Sequence, residues 1–142
     1  MRDQPKRDDS FKATPELIRA LLPYGSVMSH PIHKVLFERG ERAHGLFLLQ
    51  TGSAVLSAPG AMDRSVGPDA LLGVPGTLSK GAYSLSAVLL EESRVLFVPS
   101  ERVTALLTEH PNIGFQLVQL LSREIHALRQ RIVQLNGKGV VP

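Results

Sequence analysis

The chain has no cysteine among its 142 residues. That absence excludes disulfides, thiolate nucleophiles, thiolate zinc sites and cysteine-ligated iron–sulfur clusters together. No stretch approaches the roughly eighteen uncharged apolar residues of a membrane span. The opening residues, Met1-Arg2-Asp3-Gln4-Pro5-Lys6-Arg7-Asp8-Asp9, lack the apolar centre of a signal peptide. A cytoplasmic location without a membrane partner is the expectation. Nucleophile elbows, Walker loops, paired-carboxylate strands and internal repeats are missing too. These absences argue against an enzyme. Acidic groups are scarce near the C-terminus, where Arg123, Arg129, Arg131 and Lys138 face Glu124 alone. Without interleaved aromatics those charges read as a solvated helix face, and direct DNA binding is not expected from this chain.

What is present reads as one domain with an ordinary apolar share of 43%. Residues 1–13 are charged and proline-bearing, the composition of a disordered tail. From residue 14 to residue 142 a single domain is expected. Thr14-Pro15-Glu16 starts a helix: Thr14 caps, Pro15 suits the first turn and Glu16 complements the dipole. Pro23-Tyr24-Gly25 ends it. Residues 26–99 then break into short β-rich pieces separated by turns. Residues 46–50 and 53–57, joined by Thr51-Gly52, read as a hairpin, and 83–89 and 94–98 as two further strands. This spacing predicts a mainly β fold with flanking helices, an eight-stranded jelly-roll barrel. Ser100-Glu101-Arg102-Val103 begins another helix, which His110-Pro111 interrupts. A long helix follows, from about residue 111 to residue 135. Along it Leu121, Ile125, Leu128, Ile132 and Leu135 are spaced four, three, four and three apart, a heptad seam that predicts a homodimer.

The stretch from Leu71 to Ala87 is the candidate site. An apolar run ends at Gly73, Pro75 follows, and Thr and Ser dot a short segment before strand alternation resumes at Tyr83. A strand, a glycine turn and one short helical turn expose backbone N–H groups that lack intrahelical partners, a natural place for an anion.

Three groups of residues, taken in order, resemble a known family. The first comprises Leu36-Phe37-Glu38-Arg39-Gly40-Glu41, Gly45-Leu46-Phe47-Leu48-Leu49 and Thr51-Gly52-Ser53-Ala54-Val55. The second comprises Gly67-Pro68, Leu72-Gly73 and Tyr83-Ser84-Leu85-Ser86-Ala87. The third is Phe97-Val98-Pro99, His110-Pro111 and the long helix. The series resembles the cyclic-nucleotide-binding-like effector domain of the catabolite-activator and fumarate-nitrate-regulator superfamily. That resemblance implies a sensor that signals through its long helix. It also implies a phosphate-binding cassette with a Gly-Glu pair and a later Arg that grips the cyclic phosphate. Here Gly73 matches the glycine, but Val74 stands at the acidic position. The Arg position falls near Gly81, with Lys80 the neighbouring cation. An Arg–phosphate contact is bidentate, whereas Lys offers a point charge. Losing a buried charged partner costs about 2–5 kcal/mol. The usual mode of cyclic AMP binding is therefore not expected. Family transcription factors also continue into a helix-turn-helix domain, whereas this sequence ends at Pro142.

The expected pocket is framed by Gly73, Val74, Pro75 and Gly76, with Lys80, Tyr83, Ser84 and Ser86 as polar contacts and Leu121, Ile125 and Leu128 as a lid. A regulatory sensor for a small-molecule effector is the first reading. The alternatives are a ligand-free dimerisation or protein-interaction module, whose partner the sequence does not name, and the effector-domain fragment of a transcription regulator. No cofactor and no metal site are expected. His30 and His33 would point to opposite faces of a strand, and His44, His110 and His126 are scattered. Cupins share the jelly-roll shape, but their His-x-His cluster has no counterpart here.

Overall fold

The computed structural model describes residues 5–123. Thr14 accepts a hydrogen bond from the Leu17 N–H at 3.1 Å and caps α1, Pro15–Leu21, as its sequence predicts. A 3-10 turn, Leu22–Tyr24, ends that helix at Gly25. Strands β1 (Lys6–Arg7), β2 (Ser26–His30), β3 (Val35–Phe37), β4 (Gly45–Thr51) and β5 (Ala54–Ser57) come first in chain order. They are followed by β6 (Arg64–Val66), β7 (Leu71–Leu72), β8 (Ser86–Leu89) and β9 (Ser93–Pro99). Helix α2 spans Val74–Ser79 and α3 spans Ser100–Glu109; α4 occupies 111–123 after a break at His110.

The strands form two separate sheets, one ordered β1-β6-β5-β8-β3 and the other β2-β9-β4-β7. The barrel expectation is corrected here. No ladder joins the outer strands of one sheet to those of the other among the described residues, so both sheets are open. Helix and strand also take near-equal shares of the described chain, so the fold is not mainly β. The physical reason lies in β4, which is buried on both faces. Phe47 and Leu49 point between the sheets, toward Phe37, Leu56, Ala87 and Val95. Leu46 and Leu48 point the other way, toward Leu17, Leu21, Leu106, Ile113 and Leu117 of the helices. The four-stranded sheet is thus a middle layer between the five-stranded sheet and the helices.

The expected hairpin of residues 46–50 and 53–57 is corrected as well. Strand β4 pairs with β7 and β9, while β5 pairs with β6 and β8. The turn between them carries the chain from one sheet to the other. Gly52, at φ 92°, is required there: a Cβ would lie 1.9 Å from Ser93 Oγ. The strand expected from Tyr83 begins only at Ser86.

The stretch read as a tail is folded where it is described. Strand β1 runs parallel to β6, pairing Lys6 with Arg64 and Arg7 with Ser65. Asp8 binds the Arg64 guanidinium, which sits 5.3 Å from the centre of the Phe11 ring, and that ring is 2% exposed. Among the described residues no helix is long and apolar enough to cross a membrane.

Candidate functional site

The middle sheet delivers the chain to the cassette through β7. Gly73 then turns at φ 88°, and a Cβ on it would meet Tyr83 Cε1 at 2.9 Å and the Gly45 carbonyl at 3.1 Å. Val74 opens α2 and is fully buried; Pro75 occupies its first turn, half-buried. Gly76 lies against the next segment, where a Cβ would stand 2.6 Å from the Ala82 carbonyl oxygen. Lys80 ends the helix in the left-handed conformation, φ 58°, donating its N–H to the carbonyls of Gly76 and Thr77.

Tyr83 is the centre of this arrangement. It is 2% exposed and stacked on Phe37 at 4.2 Å between ring centroids, with Phe47 beyond. Its hydroxyl donates to the Gly45 carbonyl at 2.9 Å and accepts the His44 N–H at 3.2 Å. Thr77 Oγ1 donates to the same carbonyl at 2.9 Å. The reason lies in the ladder: the Ser100 N–H donates to the His44 carbonyl at 2.9 Å, so His44 bonds toward β9 and Gly45 toward the β7 side, where β7 has already ended at Leu72. The side chains of Thr77 and Tyr83 satisfy a strand carbonyl that lies beyond the end of β7 and so has no ladder donor. Burial pushes the Tyr83 phenol above its ordinary pKa, against the downward pull of the hydrogen bonds with His44 and Gly45.

The expected site residues separate into two groups. Gly73, Val74, Pro75, Gly76, Lys80 and Tyr83 come together around α2. Ser84 is exposed, and Ser86 Oγ accepts the Arg39 N–H at 2.9 Å in a neighbouring turn. Leu121 packs half-buried against the helix-side core. Ile125, Leu128, Ile132 and Leu135, as well as His126, lie outside the described residues. Among the described residues no three His, Asp or Glu side chains converge as a metal cluster. Thr77 and Gly45 were not singled out by their sequence. The usable signal was the end of the apolar run at Gly73, which stops β7 and leaves a carbonyl of the strand beside it in need of other donors.

A family model described as the cyclic nucleotide-binding domain matches residues 27–110. The chain belongs to this family. Within it, the chain is a cyclic-nucleotide-binding-like effector domain of the catabolite-activator and fumarate-nitrate-regulator superfamily. It is 29% identical over 116 residues to the cyclic AMP receptor protein of Thermus thermophilus, covering 78% of this chain and 54% of that protein. It is 30% identical over 108 residues to the transcriptional activator protein anr of Pseudomonas aeruginosa, covering 72% and 44%. The chain therefore spans about half the length of these relatives. The crystal structure of the Thermus thermophilus catabolite activator protein superimposes with a TM-score of 0.73 at 27% identity, covering 87% of this chain and 60% of that one. A structure described under a cyclic-GMP-dependent signalling pathway in bacterial phytopathogenesis gives 0.71 at 23% identity, covering 84% and 96%, a likeness of fold.

At the two positions where the resemblance places the family's recognition charges stand Val74 and Gly81, and neither is charged. Val74 carries no carboxylate and is buried. Gly81 carries no side chain, and its backbone is tied to the Gly76 carbonyl at 2.9 Å and the Ala43 N–H at 2.8 Å.

Proposed function

We propose that this effector domain is a regulatory sensor that signals as a homodimer through its long helix, and that its cassette does not recognise a cyclic nucleotide in the family's usual manner. One observation carries the second clause. The polar groups of the cassette, Thr77 Oγ1 and the Tyr83 hydroxyl, are spent on the Gly45 carbonyl, and the Tyr83 ring fills the space beside it. A ligand there would have to break buried hydrogen bonds and gain no charged partner in return. Calorimetric titration with cyclic AMP and cyclic GMP tests this directly. The expected result is no binding at micromolar nucleotide, and a micromolar Kd for either would overturn the reading.

The dimer clause rests on the described start of the long helix. Phe115 is 67% exposed and Val118 is 51% exposed, one turn apart on the face away from Ile113, Leu117 and Leu120. Val118 stands seven residues before Ile125, so it continues the heptad seam toward the sheets. A small effector would act by favouring one position of this helix over another, which requires different contacts in the two. The relatives' names, a receptor protein and a transcriptional activator, make transcription regulation the proposed setting, and catalysis has no part in it. The filled space at Tyr83 also favours a second reading, a dimerisation module that takes no ligand inside the cassette.

A further inference from the structure

Two clefts of about 310 and about 450 Å3 run along α3 and share Lys80, Ser100 and Thr104. We propose that they form one groove, and that it binds a small amphipathic monoanion, a short-chain carboxylate. Both volumes lie within the range of about 300–1,000 Å3 typical of ligand pockets. One end is apolar, lined by Leu78, Val103 and Leu107. The other is cationic, lined by Arg42 and Lys80. Neither cation forms an ion pair among the described residues. The one carboxylate lining the groove is Glu101, which leaves an excess of a single positive charge. Glu41 is engaged nearby, accepting the Glu38 N–H at 3.0 Å and facing His44 at 3.8 Å.

The hydroxyls divide their roles. Thr104 and Thr108 donate to the carbonyls of Ser100 and Thr104 and are left as acceptors. The Ser100 hydroxyl has no hydrogen-bond partner among the described residues and remains able to donate to an anion. Lys80 adds a further indication. It holds a left-handed backbone where glycine would be free of strain, so a charged side chain is kept at this corner at a cost.

The site is separate from the interior of the cassette: Tyr83 and Gly73 do not line it. A carboxylate on Arg42 and Lys80, with its chain on Val103 and Leu107, would bridge the end of α2 and the face of α3. Through His110 and Pro111, α3 leads directly into α4, so occupancy would fix the spacing at the root of the signalling helix.

The test is an NMR titration of the full 142-residue chain with hexanoate, with hexan-1-ol and hexylamine as neutral and cationic controls. Hexanoate is expected to move the amide signals of Lys80, Ser100, Thr104 and Leu107, and to bind about fivefold more tightly than hexan-1-ol. Lys80→Gly preserves the left-handed backbone and should keep the fold while weakening hexanoate about threefold or more; Arg42→Gln should do the same. Thermal melting checks that both variants are folded. Equal affinity for hexan-1-ol, shifts confined to other residues, or unchanged affinity in both folded variants would overturn the proposal. None of these outcomes bears on cyclic nucleotide binding or on the dimer, so the earlier reading is tested separately.

Discussion

At the scale of single residues, the Gly45 carbonyl explains most of the cassette. It lies beyond the end of β7, so it draws in Thr77 and Tyr83, and those two side chains fix α2 against β4. Tyr83→Phe leaves the part-buried His44 N–H without its acceptor and removes a buried donor from the Gly45 carbonyl, and should destabilise the fold by about 1 kcal/mol, measured by urea unfolding at neutral pH. The alkaline limb is a sharper check. The phenol's folded pKa is raised above its unfolded value near 10.0, so its contribution is complete below that pH. As pH rises past 10.0 the unfolded tyrosine ionises first, and stability falls until the folded pKa is passed. Tyr83→Phe should therefore flatten the loss of stability above that pH; an unchanged slope would show that Tyr83 is not the titrating group. Tyr24, whose hydroxyl donates to Glu109, is raised as well, chiefly by that hydrogen bond, and contributes in the same direction. The buried place of Val74 was legible in its sequence, as an apolar residue that ends an apolar run. The inward role of Tyr83 was not, since a tyrosine at a strand start is equally suited to a ligand or to a core until its neighbours are known.

At the scale of elements, α1 with its cap and the start of α3 were the most legible part, although the cap expected at the start of α3 is not made. Thr14, Pro15 and the His110-Pro111 break act within a few residues of themselves, and local chemistry decides them. Helix α2 depends on closeness of a different kind. Gly76→Ala places a methyl 2.6 Å from the Ala82 oxygen and 3.0 Å from Ala43 Cβ, and overpacking of this sort costs about 1–3 kcal/mol. Its melting temperature should drop, while Ser84→Ala, at an exposed position, should leave it unchanged. Strand β1 was illegible for a physical reason: two residues carry no periodicity, and its partner β6 lies far along the chain. Composition therefore read as a tail. Phe11→Ala distinguishes the two views, because a buried ring lost from the core costs about 3–5 kcal/mol and a tail residue costs nothing. Denaturant unfolding of that variant is expected to show the larger loss.

At the scale of the whole molecule, turn signals were visible but pairings were not. Gly52 announces a reversal, and a reversal inside one sheet looks the same in sequence as a passage between two. That ambiguity produced a closed barrel where the chain builds two open sheets and a helical layer. Self-association is the prediction that belongs here. Val118→Glu places a charge in the proposed seam and should convert a dimer to a monomer in sedimentation velocity, with little change in the fold of the 51%-exposed site. A wild-type chain that sediments as a monomer at every concentration would remove the seam. One feature also matters before the molecule is complete. Strand β1 leaves the ribosome well ahead of β6, yet Lys6 can pair only after Arg64 has been synthesised and β6 has taken its place beside β5. Strand β1 must therefore wait for β6, and its own backbone groups stay without their strand partner on every nascent chain until β6 arrives.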